Sequence, residues 1–313
     1  MTRSPFPYSD DNKRYHTLSY HLNTLFGKRV FKAVIDAGFT CPNLDGKKGT
    51  GGCTYCLGGG GEFTHGAGKN VAEQVTDELS RVRKKWDNAD VIAYFQSHTN
   101  TYAPLPKLRE LYEAALQVNG VRGISIATRA DALEPETVNY LSELSGKTYL
   151  TVELGLQSMH DSTAARIHRG HTWAEFLEGY RALKAGGIRV CVHLIDGLPG
   201  ETAEMMLQTA RTLGTLRPDA VKIHLLQVMR GTELARQYAA GQVIPMTKEE
   251  YIDAVCSQLE VLPAQTVIER VTGDGSHDKL IAPRWGTDKI AVLGGIDQSL
   301  AQKDTWQGKF YTT

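Results

Sequence analysis

The sequence predicts an α/β fold: a partial (β/α)6 barrel of parallel strands, with extensions at both chain ends. Two patterns predict it. Six strand-like apolar segments alternate with helix-period stretches along the chain, and a repeated strand–helix alternation implies parallel pairing with helical crossovers. Several strands also alternate polar with apolar residues, whereas strands buried on both faces of a packed parallel sheet read as continuous apolar runs. One sheet face is therefore polar, which suits a partly open barrel around a ligand-filled lumen.

The predicted strands are 29–35, 90–96, 123–128, 149–156, 188–195 and 219–226. Helices are predicted near 71–86, 104–118, 135–145, 173–186 and 201–214. Pro135 suits a helix's first turn, and Glu201-Thr202 opens the last helix after a Pro-Gly turn. The polar face carries Tyr94 and Gln96 on the second strand, and Ser125, with Arg129 beyond, on the third. It carries Thr151, Glu153 and Gln157 on the fourth, Cys191 and His193 on the fifth, and Lys222 and His224 on the sixth. The predicted division is an N-terminal extension, 1–28, a core barrel, 29–228, and a C-terminal extension, 229–313. The first extension has a helical stretch, 18–26, ending at Gly27. The last has a helix near 247–262, a strand at 266–271 and a polar, Gly-containing tail.

The 313 residues are 41% hydrophobic and 22% charged, ordinary for a globular chain that buries its own core. No apolar stretch reaches the roughly 20 residues of a membrane span, and the first residues lack a signal-peptide pattern. A cytoplasmic location is the expectation. Formal net charge is zero, which neither demands nor excludes a nucleic-acid partner. Five cysteines, an odd number, argue against a disulfide framework.

Three of the five lie in one loop after the first strand, GFTCPNLDGKKGTGGCTYC. Eleven residues separate Cys41 from Cys53, and two separate Cys53 from Cys56. Thiolates suit zinc or iron–sulfur centres. A structural zinc wants four closed ligands, and the nearby fourth candidate is His65. Three ligands on a four-iron cluster leave one iron open to chelate another molecule. A non-catalytic zinc module stays as the alternative. Cys256 reads as a small apolar helix residue, and Cys191 as a lumen residue with a possible hydrogen-donor role.

With Tyr55 just before the last cysteine, this loop resembles that of the radical S-adenosylmethionine (SAM) enzymes. Their usual spacing is three residues, then two. The longer first gap is similar to that of the branch containing the catalytic subunit of eukaryotic elongator. Further motifs resemble a bacterial YhcC/YtqA-type family of that branch. These are Gln96 to Tyr102, Ala127 to Asp131, Glu153 to Ser158, Arg169 to Thr172, His193 to Glu201 and Arg230 to Leu234. The start, Tyr8 with Lys13 to Thr17, and the later Gly273-Asp274-Gly275, Pro283-Arg284-Trp285 and Gln307-Gly308 extend the resemblance over nearly the whole chain.

The resemblance implies a partial TIM-like radical SAM barrel with a 4Fe–4S cluster and SAM as cofactors. Reductive cleavage of SAM to a 5′-deoxyadenosyl radical is the implied reaction. Cys41, Cys53 and Cys56 are the implied cluster ligands. Tyr55 is implied near the adenine, with Gly58 and Gly59 opening a glycine segment for the methionine amino group. Glu153, assisted by Gln157, is the candidate SAM-binding carboxylate, because a buried acid is costly unless paired. An ion pair with Lys222 or Arg129 is its alternative. Arg169 is read as a clamp for a carboxylate or ribose hydroxyl, or as a surface arginine. Gly197 is read as a backbone device near the adenine. Glu201 is read as a ligand residue or as a helix-start carboxylate. Cys191, His193, Lys222 and His224 are the candidates for catalysis or substrate contact.

The resemblance further implies a transfer RNA substrate, modified at the wobble uridine from carboxymethylaminomethyl to aminomethyl, and a reductant such as flavodoxin or ferredoxin. A flipped base would enter the lumen, and Arg14, Lys28, Arg29 and the basic run Arg81 to Lys85 are candidate phosphate-binding rim residues. A radical SAM enzyme for a small metabolite or peptide remains the other substrate class.

Overall fold

The computed structural model describes residues 6, 8, 13–57, 68–273 and 278–312. The elements follow the predicted alternation: α1 (Leu18–Phe26), β1 (Val30–Ile35), α2 (Val71–Arg83), β2 (Asp90–Phe95), α3 (Leu105–Leu116), β3 (Val121–Thr128), α4 (Pro135–Ser145) and β4 (Tyr149–Gln157). Next come α5 (Asp161–Arg166), α6 (Trp173–Ala185), β5 (Arg189–Asp196), α7 (Ala203–Leu216) and β6 (Ala220–Leu225). The chain ends with β7 (Val228–Met229), α8 (Glu233–Ala239), α9 (Lys248–Val261), β8 (Val267–Arg270), β9 (Leu280–Ala282), a 3-10 turn (Arg284–Thr287) and α10 (Lys289–Gln302).

Several helix starts have a local cause. Asn70, Thr172 and Thr247 cap α2, α6 and α9 in reciprocal capping boxes with Glu73, Glu175 and Glu250. α4 opens on Pro135 as expected. α7 opens later than predicted. Thr202 is its cap, accepting from the Met205 amide, and Glu201 instead accepts from the Ser158 hydroxyl. The helix-start reading of Glu201 is thereby corrected.

The main sheet has seven strands in the order β1-β2-β3-β4-β5-β6-β8, parallel throughout. β1 and β8 are its two edges, so the sheet is a curled half-barrel. α1 packs on both edge strands, and Thr17 forms a bridge to Ile268. The period-2 pattern sorts the two faces. Ala33, Ile35, Val91, Ala93, Phe95, Ile124, Ile126, Val152, Leu154, Val190, Val192, Val221 and Ile223 join one core cluster with Val75, Leu108, Tyr112, Leu141, Leu183 and Leu213 of the helices. Burying each large apolar side chain there stabilises the fold by about 1.5–3 kcal/mol. The opposite face holds Lys32, Tyr94, Ser125, Glu153, His193 and Lys222, joined by hydrogen bonds.

The C-terminal region differs most from expectation. Its predicted strand joins the barrel sheet beside β6. The predicted polar tail contains α10, packed on α9 through Val292, Ile296 and Leu300. Gly294 and Gly295 lower the helix propensity of that stretch. Tertiary packing overrides it, because a Cβ at Gly295 would meet Ile252 of α9 at 2.5 Å.

Candidate functional site

The loop after β1 folds back on itself through short backbone turns. The Leu44 and Asp45 amides donate to the Cys41 carbonyl, and the Cys56 amide to the Cys53 carbonyl at 2.9 Å. Gly51 and Gly52 take positive φ, 83° and 75°, which glycine alone adopts without strain. The second turn is tied down from two sides. The Thr54 amide donates to the Ile167 carbonyl at the end of α5, and the Leu234 amide of α8 donates to the Thr54 carbonyl.

Buried Asn43 organises the thiols. Its side-chain amide donates to the His168 carbonyl at 2.5 Å and to the Cys53 sulfur at 3.6 Å. Burial pushes the Cys53 thiol up, while the Arg129 guanidinium, Tyr55 and Asn43 pull it back, and the neighbouring Cys41 adds to the rise. Burial also raises the Tyr55 hydroxyl, with Cys53 and Cys56 close enough to contribute. Arg129 is buried, paired with Asp131 at 2.9 Å and donating to the Arg169 carbonyl at 2.6 Å. The three cysteines thus share one environment, with a cation beside Cys41 and Cys53.

Their geometry separates the two metal readings. A tetrahedral zinc with bonds near 2.3 Å would draw its sulfurs to about 3.8 Å from one another. The three sulfurs do not all lie within 4.8 Å of one another; among the described residues, only Glu153, Cys191 and His193 form such a group. Three thiolates on different irons of a cluster need no such convergence. The donor set therefore fits a 4Fe–4S cluster. His65, Gly58 and Gly59 lie outside the described residues, as do Asp274 and Gly275.

A cavity of about 330 Å³ begins at Tyr55, Cys56 and Leu57 and runs down the half-barrel. Gln96, Gln157, His193, Lys222, His224 and Arg270 line it. The sequence-predicted Gln157, His193, Lys222 and His224 are thus brought together with the cysteine loop. Gln157 holds positive φ, 61°, at the end of β4.

Deeper in the lumen lies a ring of alternating charges. Lys32 pairs with Glu153 at 2.6 Å and with Glu269 at 2.5 Å. Lys222 pairs with Glu153 and lies 3.6 Å from Glu269. Both ammonium groups lie over the Tyr94 ring, at 4.9 and 4.4 Å. The Glu153 carboxylate also accepts from Ser125 and from His193 at 2.7 Å. Burial raises its pKa, but Lys222, Lys32 and His193 bring it well below the ordinary value. An ionised carboxylate only accepts, so His193 Nε2 carries the proton and Nδ1 is left as an acceptor. Burial and Lys222 lower the His193 pKa. Burial, His193 and Arg270 push His224 well below the ordinary value.

Four sequence readings change. Glu153 is fully occupied by this chain's own donors, and the Lys222 ion pair, its alternative, is present; Arg129 pairs elsewhere. Arg169 is 1% exposed, not a surface residue. Its guanidinium donates to the carbonyls of Leu156, Ser158 and His171, so it staples backbone segments together. Cys191 is wholly buried against Ala220 and Val267 and does not line the cavity. Gly197, at φ 84°, borders a different groove, where a Cβ would meet Met246 at 3.1 Å.

The expected basic rim also lies elsewhere. Lys28, Arg83 and Arg122 converge on buried Asp90 at the N-terminal ends of the strands, opposite the cysteine loop. Arg14 is tied to Asp304. Sequence reasoning missed Asn43, Lys32 and Glu269. Lys32 shares the inward face of β1, but one lysine in that strand gave no recurring signal. Glu269 needed its strand assigned to the barrel.

A half-barrel with three thiols at the C-terminal end of its first strand, opening into a polar lumen, defines a class of cluster-bearing barrel proteins. The pattern of the Radical SAM superfamily matches residues 46–213, and that of the Radical_SAM C-terminal domain matches 218–302. The chain belongs to the radical SAM superfamily, whose cofactors are a 4Fe–4S cluster and SAM. It is 45% identical to the uncharacterized protein YtqA of Bacillus subtilis, over 99% of this chain and 97% of that one. It is 30% identical to protein YhcC of Escherichia coli, over 89% and 90%. It is also 30% identical to a tRNA uridine(34) acetyltransferase of Methanocaldococcus infernus, over 48% of this chain and 28% of the relative. The solved structure of the archaeal M. infernus Elp3, lacking its first residues, shares the fold, with a TM-score of 0.67 at 19% identity. It covers 89% of this chain and 64% of that one. The expected elongator-like branch is borne out. No helix among the described residues is long and apolar enough to cross a membrane.

Proposed function

We propose that this chain is a radical SAM enzyme that modifies the wobble uridine of transfer RNA, converting a carboxymethylaminomethyl arm to aminomethyl, with water taking up the two-carbon unit as glyoxylate and the cleavage of SAM to methionine and 5′-deoxyadenosine balancing that two-electron oxidation. The observation that carries the reading is the lumen cavity, which starts at Cys56 and Tyr55 and ends among basic side chains. Cys41, Cys53 and Cys56 hold the cluster in this reading. When bound, cluster and SAM supply a 5′-deoxyadenosyl radical through one-electron cleavage by a flavodoxin- or ferredoxin-type reductant. Asn43 fixes Cys53, and the Arg129 cation offsets the negative charge of the thiolates. Gln157 lines the mouth, and its side-chain amide nitrogen donates to the Gly155 and Leu156 carbonyls at 3.1 Å.

Lys222 and Arg270 on the cavity wall suit a base whose arm ends in a carboxylate. His193 Nδ1 offers an acceptor. The partial match to a tRNA uridine(34) acetyltransferase supports the RNA substrate.

The test is nucleoside profiling of transfer RNA from a strain lacking the gene. The carboxymethylaminomethyl form is expected to accumulate, with loss of the aminomethyl form. An unchanged profile, together with retained SAM cleavage by the purified protein, would move the substrate to a small metabolite or peptide.

A further inference from the structure

In the loop after β1, the Cys53 thiol receives a hydrogen bond from a buried amide. Asn43 is 4% exposed, and its side-chain nitrogen has two hydrogens to place. One goes to the His168 carbonyl at 2.5 Å. A carbonyl only accepts, so this bond fixes which end of the amide faces it. The second hydrogen is left for the Cys53 sulfur, 3.6 Å away.

The backbone around that amide leaves it room that only glycine provides. A Cβ at Gly49 would lie 2.6 Å from Asn43 Oδ1, and one at Gly170 would lie 2.8 Å from it. Either side chain would push the short Asn43 amide off its place. A Cβ at Gly170 would also meet the Arg129 guanidinium at 3.4 Å. His168, whose carbonyl anchors the amide, stands in a left-handed turn after α5, at φ 55°. The Asn43 backbone carbonyl accepts from the Gly52 amide at 2.9 Å, next to Cys53. Bracing the loop needs only these bonds to backbone. The bond to sulfur acts on the thiol itself.

We propose that Asn43 raises the reduction potential of the cluster held by Cys53, and so favours the one-electron reduction that SAM cleavage needs. This rests on Cys53 as a cluster ligand, the reading given above. Reduction adds negative charge to the cluster, part of it on the thiolate sulfurs. An N–H aimed at a sulfur therefore stabilises the reduced form more than the oxidised one, and hydrogen bonds to the sulfurs are a main lever on such potentials. Burial strengthens the effect of the Asn43 amide, because little solvent screens it. Tyr55 and the Arg129 cation act on the same thiol, so Asn43 supplies one share of the whole. Asn43 is a positioning residue that acts through Cys53.

The test is an EPR-monitored redox titration of the full cluster-loaded chain, with iron and sulfide content measured on each sample. Asn43→Ala is expected to keep its cluster and to hold about threefold to tenfold less of it reduced at a fixed poise, the range of one hydrogen bond. For one electron, tenfold corresponds to about 59 mV. Gly49→Ala keeps the amide but displaces it, and a smaller shift in the same direction is expected. Pulsed EPR of the reduced parent, made with isotopic nitrogen in its asparagine side chains, is expected to show a nitrogen coupling that Gly49→Ala weakens. An unchanged potential in a cluster-bearing Asn43→Ala variant would overturn the proposal. So would a parent without the nitrogen coupling, and that measurement decides the matter if Asn43→Ala loses its cluster. Failure of the ligand reading is a separate result: Cys53→Ala would then keep the parent's cluster and its potential.

Discussion

Glu153 is the carboxylate on which the lumen's charges balance. It is fully buried and faces two ammonium groups, a hydroxyl and an imidazole. Removing one member of a buried ion pair leaves the other charge uncompensated, at a cost of about 3–5 kcal/mol. Glu153→Gln is therefore expected to lower stability by that order in denaturant unfolding. A change under about 1 kcal/mol would show that the ring is hydrated and energetically slack. Asp196 gives a pH-dependent case. Burial raises its pKa from 3.8 to about 7, against a bond from Gln258 that lowers it. Between those pH values the folded state holds a proton that the unfolded state has released, so this group's contribution to stability is greatest below about pH 4. It falls as pH rises toward 7 and is flat above that. Asp196→Asn is expected to remove this slope and to gain stability at pH 8. An identical slope in the variant would assign it to another group. The polar face containing Glu153 was legible because the alternation recurs on five strands. The ion-pair partner Lys222 was legible as one of two options. Lys32 was not, since β1 carries no second inward polar residue to mark the face.

At the scale of elements, close approaches decide stability. α6 reaches the chain after β3 because Gly179 has no Cβ; one there would clash with the Ala130 carbonyl. Gly179→Ala is expected to destabilise by about 1–3 kcal/mol, since backbone rather than a flexible side chain must move. Unchanged thermal unfolding would contradict that packing. Arg169 acts between elements too, joining the end of β4 to the segment before α6. Arg169→Lys keeps the charge but cannot reproduce the planar fork. It is expected to increase amide hydrogen exchange in the 156–172 segment, and exchange equal to the parent's would return Arg169 to a ligand role. The strands and most helices were legible from periodicity, with bounds within a few residues. α10 was not, because Gly294 and Gly295 suppress its propensity and only contact with α9 rescues it. α5 and α8 were missed because they are short.

At the scale of the molecule, the C-terminal region completes the sheet through β8 and supplies Glu269 and Arg270 to the lumen. The barrel class was legible in the sequence because strand order follows chain order in a parallel half-barrel. The strand predicted at 266–271 was legible, but its place as the seventh strand of the sheet was not, because it follows a long interruption with β7, α8 and α9 inside it. The cysteine cluster was legible in spacing alone, but its support was not: Asn43 and Arg129 act through folding contacts that no spacing records. The most direct measurement is the metal and sulfide content of the anaerobically purified chain beside Cys41→Ala, Cys53→Ala and Cys56→Ala, with 5′-deoxyadenosine formation read on the same samples. The expected result is about four irons and four sulfides per chain, SAM cleavage in the parent, and loss of both in each variant. A colourless parent with one zinc and no iron, or a Cys53→Ala variant that still forms 5′-deoxyadenosine, would contradict the assignment.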